Sequence, residues 1–124
     1  MDISRIQREF TEAQKTFAVL ELRPTPDGNV FVRAALQTGT GTYVLSIRFP
    51  ESYPNEMPRV FVDAPVIATS PHRYNAGNIC YMHHSLWNPG VHQLTFVIAR
   101  AAKWLSKYEV WRMKGEWPGA EIRH

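Results

Sequence analysis

The chain has 124 residues, of which 44% are hydrophobic, and its formal net charge is +3. This length is typical of one domain, and this apolar share is sufficient to fill one core. The Lys and Arg residues are scattered along the chain, so a basic stripe for binding nucleic acid is not expected. No apolar run approaches the ~18 residues of a membrane span, and the start of the chain does not resemble a secretory leader. We therefore expect a single domain over residues 1–124 that is cytoplasmic and does not bind a membrane.

The first residues carry the pattern of an amphipathic helix. Apolar side chains recur at helical spacing over residues 3–17, and Asp2 or Ser4 can cap the start because either side chain accepts hydrogen bonds from free backbone amides. Charged residues, Glu9 among them, occupy the opposite face. That face is either a solvated surface or a docking face for a partner enzyme, and the sequence leaves both interpretations open.

Four strands and a second helix follow. Apolar runs, some of them alternating with polar residues, predict strands over residues 19–22, 30–36, 42–49 and 59–62. The short turns between successive strands favour an antiparallel meander. An apolar stripe at helical spacing then predicts a helix over about residues 93–114. Strands grouped together, with a helix at either end, indicate an α+β fold.

Two irregular segments separate these elements. Residues 50–58 contain three prolines, so they fit neither a central strand nor a helix interior and are expected to form a rigid crossing. Residues 63–90 show no clear periodicity, and loops of this length are often functional. This second segment holds Cys80, the chain's one cysteine. A lone cysteine is often an inert core residue, but the polar residues on both sides of Cys80 predict a reachable thiol at the mouth of a shallow groove.

Three segments, in the same order and register, carry a family resemblance. Residues 43–50 and the prolines after them look like the third strand and proline crossing of ubiquitin-conjugating (E2) enzymes. Residues 70–80 match the E2 loop in which a His-Pro-Asn tripeptide precedes a glycine, an aliphatic residue and the catalytic cysteine. Residues 87–89 resemble the Trp-Ser-Pro that follows this cysteine. The resemblance covers roughly residues 1–112 and implies a UBC-like fold.

In E2 enzymes the cysteine carries the activated C-terminus of a protein as a thioester and passes it to a lysine. The resemblance therefore implies that Cys80 is the catalytic nucleophile. It also implies that the chain needs no cofactor, because an E1-like adenylating partner uses the ATP. The other implied partners are a ubiquitin-like modifier, or a signalling nucleotidyltransferase (CD-NTase), whose C-terminus is conjugated, and a target protein with an acceptor lysine.

Two departures from the E2 pattern matter. The Asn of His-Pro-Asn is replaced by His72, whose imidazole can support an oxyanion, accept a proton from the attacking amine, or only brace the loop. The chain also ends soon after the second helix, without the terminal helices of eukaryotic E2 enzymes. This ending resembles compact bacterial E2-like proteins, which accompany antiviral operons of the cyclic-nucleotide signalling (CBASS) type or of the bacterial ubiquitin-like conjugation type.

The remaining candidates near Cys80 have weaker signals. His83 and His84 are either polar residues of an exposed loop or groups that gate the site and transfer protons. Glu116 can orient or deprotonate an amine if the end of the chain folds over the site. The His and Cys residues lack the paired spacing of common zinc sites, so no metal is expected. Three further residues are expected to support the loop: Tyr74, Asn78 and Trp87.

Three functions fit these residues. The first is an E2-like conjugating enzyme, and the second is a catalytically inactive E2 variant that only binds partners. The third is a hydrolase in which Cys80 is the nucleophile and His72 or His83 the base, although no orienting acid is evident in the sequence. The cysteine at the E2 spacing favours the first function.

Overall fold

The structure, a computed structural model, describes residues 1–119. Its four strands form one antiparallel sheet in the order β1-β2-β3-β4. The elements are α1 (Ile3–Ala13), β1 (Leu20–Pro24), β2 (Val30–Gln37), β3 (Thr42–Arg48), β4 (Arg59–Ala64) and α2 (Leu94–Lys114). A short 3-10 helix at His84–Leu86 lies in the loop between β4 and α2. The predicted α+β fold, with a helix at each end of a four-stranded meander, is therefore confirmed.

The first helix begins where the sequence predicts and ends earlier. Asp2 is the N-cap, and its carboxylate accepts a hydrogen bond from the backbone N–H of Arg5 at 3.0 Å. The regular helix ends at Ala13, because the next residues form tighter bonds, such as the bond from the N–H of Thr16 to the carbonyl of Ala13 at 3.0 Å. Phe17 still packs against the core, so the apolar pattern extends beyond the helix that it predicts.

The charged face predicted for α1 contains one residue that is not on the surface. Glu9 is only 5% exposed. Its Oε1 accepts hydrogen bonds from the Tyr53 hydroxyl and from the backbone N–H of Leu94, each at 2.7 Å, and its Oε2 pairs with Arg5. Leu94 begins α2, so a carboxylate on α1 satisfies a free amide at the N-terminus of α2 and complements the helix dipole there. Both interpretations of the charged face are therefore wrong for Glu9.

The second helix shares a core with the sheet. It ends at Gly115, which has a φ of 79° and donates its N–H to the Trp111 carbonyl at 2.8 Å, a left-handed cap that glycine adopts without strain. No helix within residues 1–119 is long and apolar enough to cross a bilayer. The fully buried core side chains of the helix and the sheet include Leu94, Val97, Ile98, Leu105, Val32, Leu45, Ile47 and Val60.

The loops differ little from expectation. Residues 50–58 contain no helix or strand, as their prolines predict. The fourth strand continues to Ala64, two residues beyond the predicted end, and pairs with β3 across an irregularity at Val44 and Leu45. The long loop then runs from the end of β4 to the start of α2 and brings Cys80 against the middle of α2.

Candidate functional site

The segment before Cys80 is a tight turn that is tied to the sheet. The N–H of Gly77 donates to the Tyr74 carbonyl and the N–H of Tyr74 donates to the Asn78 carbonyl, each at 2.9 Å. Gly77 has a φ of 95°, a conformation that L side chains rarely adopt. The N–H of Ile79 donates to the Val60 carbonyl at 2.9 Å and so attaches the turn to β4. The backbone at Cys80 is therefore held in one place.

Cys80 itself is buried, with 3% of its surface exposed. Its neighbours Ile79, Tyr81 and Met82 are also buried, and its backbone N–H donates to the His72 carbonyl at 2.8 Å. The expectation of an exposed thiol with a polar rim is therefore wrong in this structure. The polar residues on both sides of Cys80 say nothing about the distant side chains that cover it.

The sulfur lies beside a small cavity. Cys80 Sγ is 3.2 Å from the Tyr74 hydroxyl and 3.7 Å from the Met82 carbonyl. Burial raises the pKa of the Cys80 thiol, and the hydrogen bonds with Tyr74 and with the backbone of Met82 act in the opposite direction. The cavity has a volume of about 30 Å³. Eight residues line it: His72, Cys80, Tyr81, Arg100, Lys103, Trp104, Lys107 and Trp117.

Tyr74 contacts the sulfur directly, whereas the sequence suggests only a loop scaffold. Burial, followed by the contact with Cys80, raises the pKa of Tyr74 to about 12, so the phenol keeps its proton at neutral pH. When Cys80 is a thiolate, the Tyr74 hydroxyl must be the donor of the hydrogen bond between them. The turn at Gly77 brings residues 74 and 80 close together, and the glycine in this loop is the one signal in the sequence that could have revealed this pairing.

His72 takes part in the site through both its backbone and its ring. Its φ of 60° is left-handed, and its carbonyl accepts hydrogen bonds from Cys80 N–H at 2.8 Å and from Trp104 Nε1 at 3.1 Å. The backbone therefore braces the loop. The imidazole lines the cavity beside Cys80, and its ring centroid is 4.9 Å from that of Trp117. Both chemical roles expected for His72 stay predictions.

Trp117 is a site residue that the sequence does not reveal. Its ring centroid lies 5.3 Å from that of Trp104, so the chain has turned back along α2 after the helix ends. Gly115 favours the end of the helix and Pro118 prevents its continuation. Neither residue predicts the direction that the chain takes afterwards. Glu116 lies beside Trp117 in this returning segment and is exposed.

Three cations on one face of α2 complete the site. Arg100, Lys103 and Lys107 are spaced three and four residues apart, which places them on the same side of the helix. Burial lowers the pKa of Lys107, and repulsion by Lys103 and Arg100 adds to this effect. Cations near a thiol favour its thiolate form. Among residues 1–119 no carboxylate lines the cavity, so the orienting acid of a Cys-His hydrolase is not found there.

His83 and His84 lie at the start of the short 3-10 helix. His83 Nδ1 is 2.7 Å from Ser85 Oγ and accepts the Ser85 N–H at 3.2 Å, which caps the short 3-10 helix. The two imidazole rings stack at 4.4 Å. Neither histidine lines the cavity beside Cys80. His84 instead lines a second groove of about 490 Å³, which also contains Tyr74 and Trp87. Tyr81 lines both this groove and the cavity beside Cys80.

The other predicted supports are packed into the loop. The Nε1 of Trp87 donates to the Pro54 carbonyl at 2.8 Å, and its ring lies 6.3 Å from that of Tyr53. Trp87 thus connects the exit of the loop to the proline crossing. Asn78 is buried within the turn. In the part of the chain from residue 1 to residue 119, no three His, Cys, Asp or Glu side chains are grouped closely enough to hold a metal ion.

The helix, meander, proline crossing and cysteine loop together define a fold of the ubiquitin-conjugating class. The solved structure of human ubiquitin-conjugating enzyme E2 G1 is similar, with a TM-score of 0.58 and 17% identity, covering 82% of this chain and 91% of that chain. The Vps23 UEV, solved as a complex with ubiquitin, has a TM-score of 0.50 and 14% identity, covering 86% of this chain and 96% of that chain. At these identities the likeness shows the fold alone.

Sequence comparisons identify the family. A family model described as Type II CBASS E2 protein matches residues 9–124, and the chain belongs to that family. Ubiquitin-conjugating enzyme 15 of Arabidopsis thaliana is 39% identical over 51 residues, which are 40% of this chain. The matched region spans 31% of that relative's length. The chain is therefore an E2-like protein of the CBASS class.

Proposed function

We propose that this chain is an E2-like transferase in which Cys80 receives the activated C-terminus of a protein as a thioester and delivers it to an amine. The observation that carries the proposal is the position of Cys80, which lies after the E2-type loop with its sulfur 3.2 Å from the Tyr74 hydroxyl. Membership of the Type II CBASS E2 protein family supports the same role and an antiviral context. The chain needs no cofactor in this scheme, because an E1-like partner consumes the ATP.

The first step is an exchange of thioesters. The Cys80 thiolate attacks the carbonyl carbon of a C-terminus that the E1-like partner carries on its own cysteine. A carbon–sulfur bond forms at Cys80, the bond to the partner's sulfur breaks, and the partner's cysteine leaves as a thiolate. The Tyr74 hydroxyl stabilises the attacking thiolate of Cys80 by a hydrogen bond.

The second step transfers the acyl group to a lysine. The amine nitrogen attacks the thioester carbonyl, a carbon–nitrogen bond forms, and Cys80 leaves as a thiolate that again accepts a hydrogen bond from Tyr74. The amine loses one proton in this step. The His72 imidazole either accepts that proton or donates its N–H to the oxyanion, and its position beside the cavity is compatible with both roles.

The partners follow from the same chemistry. The donor is a ubiquitin-like modifier or a CD-NTase with a free C-terminus, and the acceptor is a lysine of a target protein in the cytoplasm. No nucleic acid and no membrane takes part in either step.

The test is the formation of an adduct with purified partners. The chain is mixed with an E1-like enzyme, ATP and the modifier, and products are examined by non-reducing electrophoresis and intact mass. We expect an adduct that reductant removes, that is absent from Cys80→Ala, and that becomes resistant to reductant in Cys80→Ser because an oxygen ester replaces the thioester. An adduct of equal yield in Cys80→Ala would refute the proposal.

A second candidate is a binding module without catalysis. The burial of Cys80, with 3% of its surface exposed, favours it, because transfer requires a thiol that a bulky donor can reach. Under this alternative the Cys80→Ala chain binds its partners and supports defence as well as the unaltered chain. The cysteine at the spacing of the E2 loop favours the transferase.

A further inference from the structure

We propose that residues 115–119 form an autoinhibitory cover over Cys80, with Trp117 as the side chain that closes it. This inference concerns access to the sulfur and does not rest on the transfer reaction. It applies equally whether Cys80 carries an acyl group or has another role.

Trp117 lies at the cavity beside Cys80. Its ring packs against His72 at 4.9 Å and against Trp104 at 5.3 Å, and all three side chains line the cavity that Cys80 lines. With a volume of about 30 Å³, the cavity has room for very few water molecules. A peptide C-terminus is far larger, so it does not fit into this cavity while Trp117 occupies this position.

The backbone aims the cover at the site. Gly115 ends α2 in the left-handed conformation and reverses the chain, with its N–H bonded to the Trp111 carbonyl. Gly119, with a φ of 84°, passes close to Lys107, and a β-carbon there would lie 3.2 Å from Lys107 Nζ. The segment therefore retraces the last turns of α2 along the face that carries the cations beside Cys80.

The cover is attached in a way that permits release. Trp117 and Pro118 are half-buried and Glu116 is exposed. The ring of Trp117 packs against the rings of His72 and Trp104. Segments with few buried contacts open at a lower free energy than the folded core, so this one can undock while the helix and sheet stay intact. Undocking uncovers a surface composed of aromatic and cationic groups around the sulfur, namely His72, Trp104, Arg100, Lys103 and Lys107.

The cover is tested by the rate at which iodoacetamide alkylates the full-length chain. The chain has one cysteine, so labelling measured by intact mass reports on Cys80, and Cys80→Ser gives the background. We expect Trp117→Ala to react about tenfold faster or more, since losing aromatic contacts of this kind shifts an equilibrium by roughly that factor. Trp117→Phe keeps a ring in place and is expected to react at nearly the original rate.

A second variant opens the cover without removing a ring. An alanine in the left-handed conformation of Gly115 is strained, and undocking of residues 115–119 relieves that strain, so Gly115→Ala should react about fivefold faster. Trp111→Ala is the control for general loosening of the structure. It removes a tryptophan from the last turn of α2, and this tryptophan does not line the cavity. Circular dichroism and thermal unfolding establish that each variant is folded.

Two outcomes overturn the inference. In the first, folded Trp117→Ala and Gly115→Ala react no faster than the original chain. In the second, Trp111→Ala accelerates labelling as much as Trp117→Ala does. If Trp117→Ala does not fold, Gly115→Ala decides the question by itself. The assay contains no E1-like enzyme and no modifier, so its result is independent of success or failure in the thioester experiment.

Discussion

The two ends of α2 are held in different ways. At its start, the buried carboxylate of Glu9 accepts hydrogen bonds from Tyr53 and from the first amide of the helix, each at 2.7 Å. At its end, the returning segment is held beside Cys80 by ring contacts of Trp117 with His72 and Trp104. Hydrogen bonds to a buried charge are costly to break, whereas ring contacts at a half-buried residue are individually modest. The first end fixes the scaffold, and the second can open.

The largest expected effect is at the fixed end. Glu9→Ala leaves the Tyr53 hydroxyl and the Leu94 amide without their partner, and we expect it to lower the free energy of unfolding by about 3 kcal/mol. Urea denaturation followed by circular dichroism measures this. The matched control is Glu12→Ala, which removes an exposed carboxylate of α1 that pairs with Lys15 just after the helix and should change stability by less than about 0.5 kcal/mol. If the two variants lost the same free energy of unfolding, the prediction that Glu9 stabilises the start of α2 would be wrong.

An intermediate effect is expected at the sulfur. The hydrogen bond with Tyr74 lowers the pKa of Cys80, so Tyr74→Phe should raise that pKa and reduce the thiolate fraction at neutral pH. We expect alkylation and thioester formation to slow by roughly tenfold. The rate of alkylation measured against pH should show its inflection at a higher pH than in the original chain.

The control for this prediction is another tyrosine that loses a hydroxyl. Tyr43→Phe removes the hydroxyl that donates to Glu109 at 2.8 Å, a pair that does not line the Cys80 cavity. Its alkylation profile should match that of the original chain. An unchanged profile in folded Tyr74→Phe would mean that the contact with the sulfur is only packing.

The smallest effect is expected from the cations on α2. Lys103 is exposed beside the cavity, so its influence on the thiolate is weakened by solvent. Lys103→Ala should slow alkylation by about twofold at low salt, and the difference should vanish near 1 M salt, where the screening length is about 3 Å. Lys15→Ala, which alters an exposed cation just after α1, should leave the rate unchanged. A larger effect that resists salt would place Lys103 in direct contact with the reacting sulfur.

The elements of this protein are predictable because their signals are local. The alternation over residues 42–49 predicts β3, and the apolar stripe over residues 93–114 predicts α2 within one residue of its start. The prolines in residues 50–58 exclude helix and strand there, as observed. These features depend on backbone conformation and on which side chains share a face, and both can be read from neighbouring residues.

The site is only partly predictable because its environment is not local. The order of Gly77 and Cys80 in the loop can be read from the sequence. The contact of Tyr74 with the sulfur is seen only in the structure, where the turn at Gly77 brings the two residues together. The burial of Cys80 cannot be read in the same way, because the side chains around its cavity include Trp104 and Trp117, which lie far from it in the chain. The polar sequence around Cys80 predicts an open thiol for this reason, and that prediction is wrong.

The sequence by itself determined the order of helices and strands, the one cysteine and its place in an E2-type loop, because turn chemistry and periodicity act over a few residues. Only the tertiary structure decided that Glu9 caps α2, although 85 positions separate Glu9 from Leu94, and that Trp117 lines the cavity beside the cysteine. Contacts of this kind are selected by how whole elements pack together. Packing in a dense core depends on the shapes of all the side chains that meet there, and no short stretch of the chain contains that information.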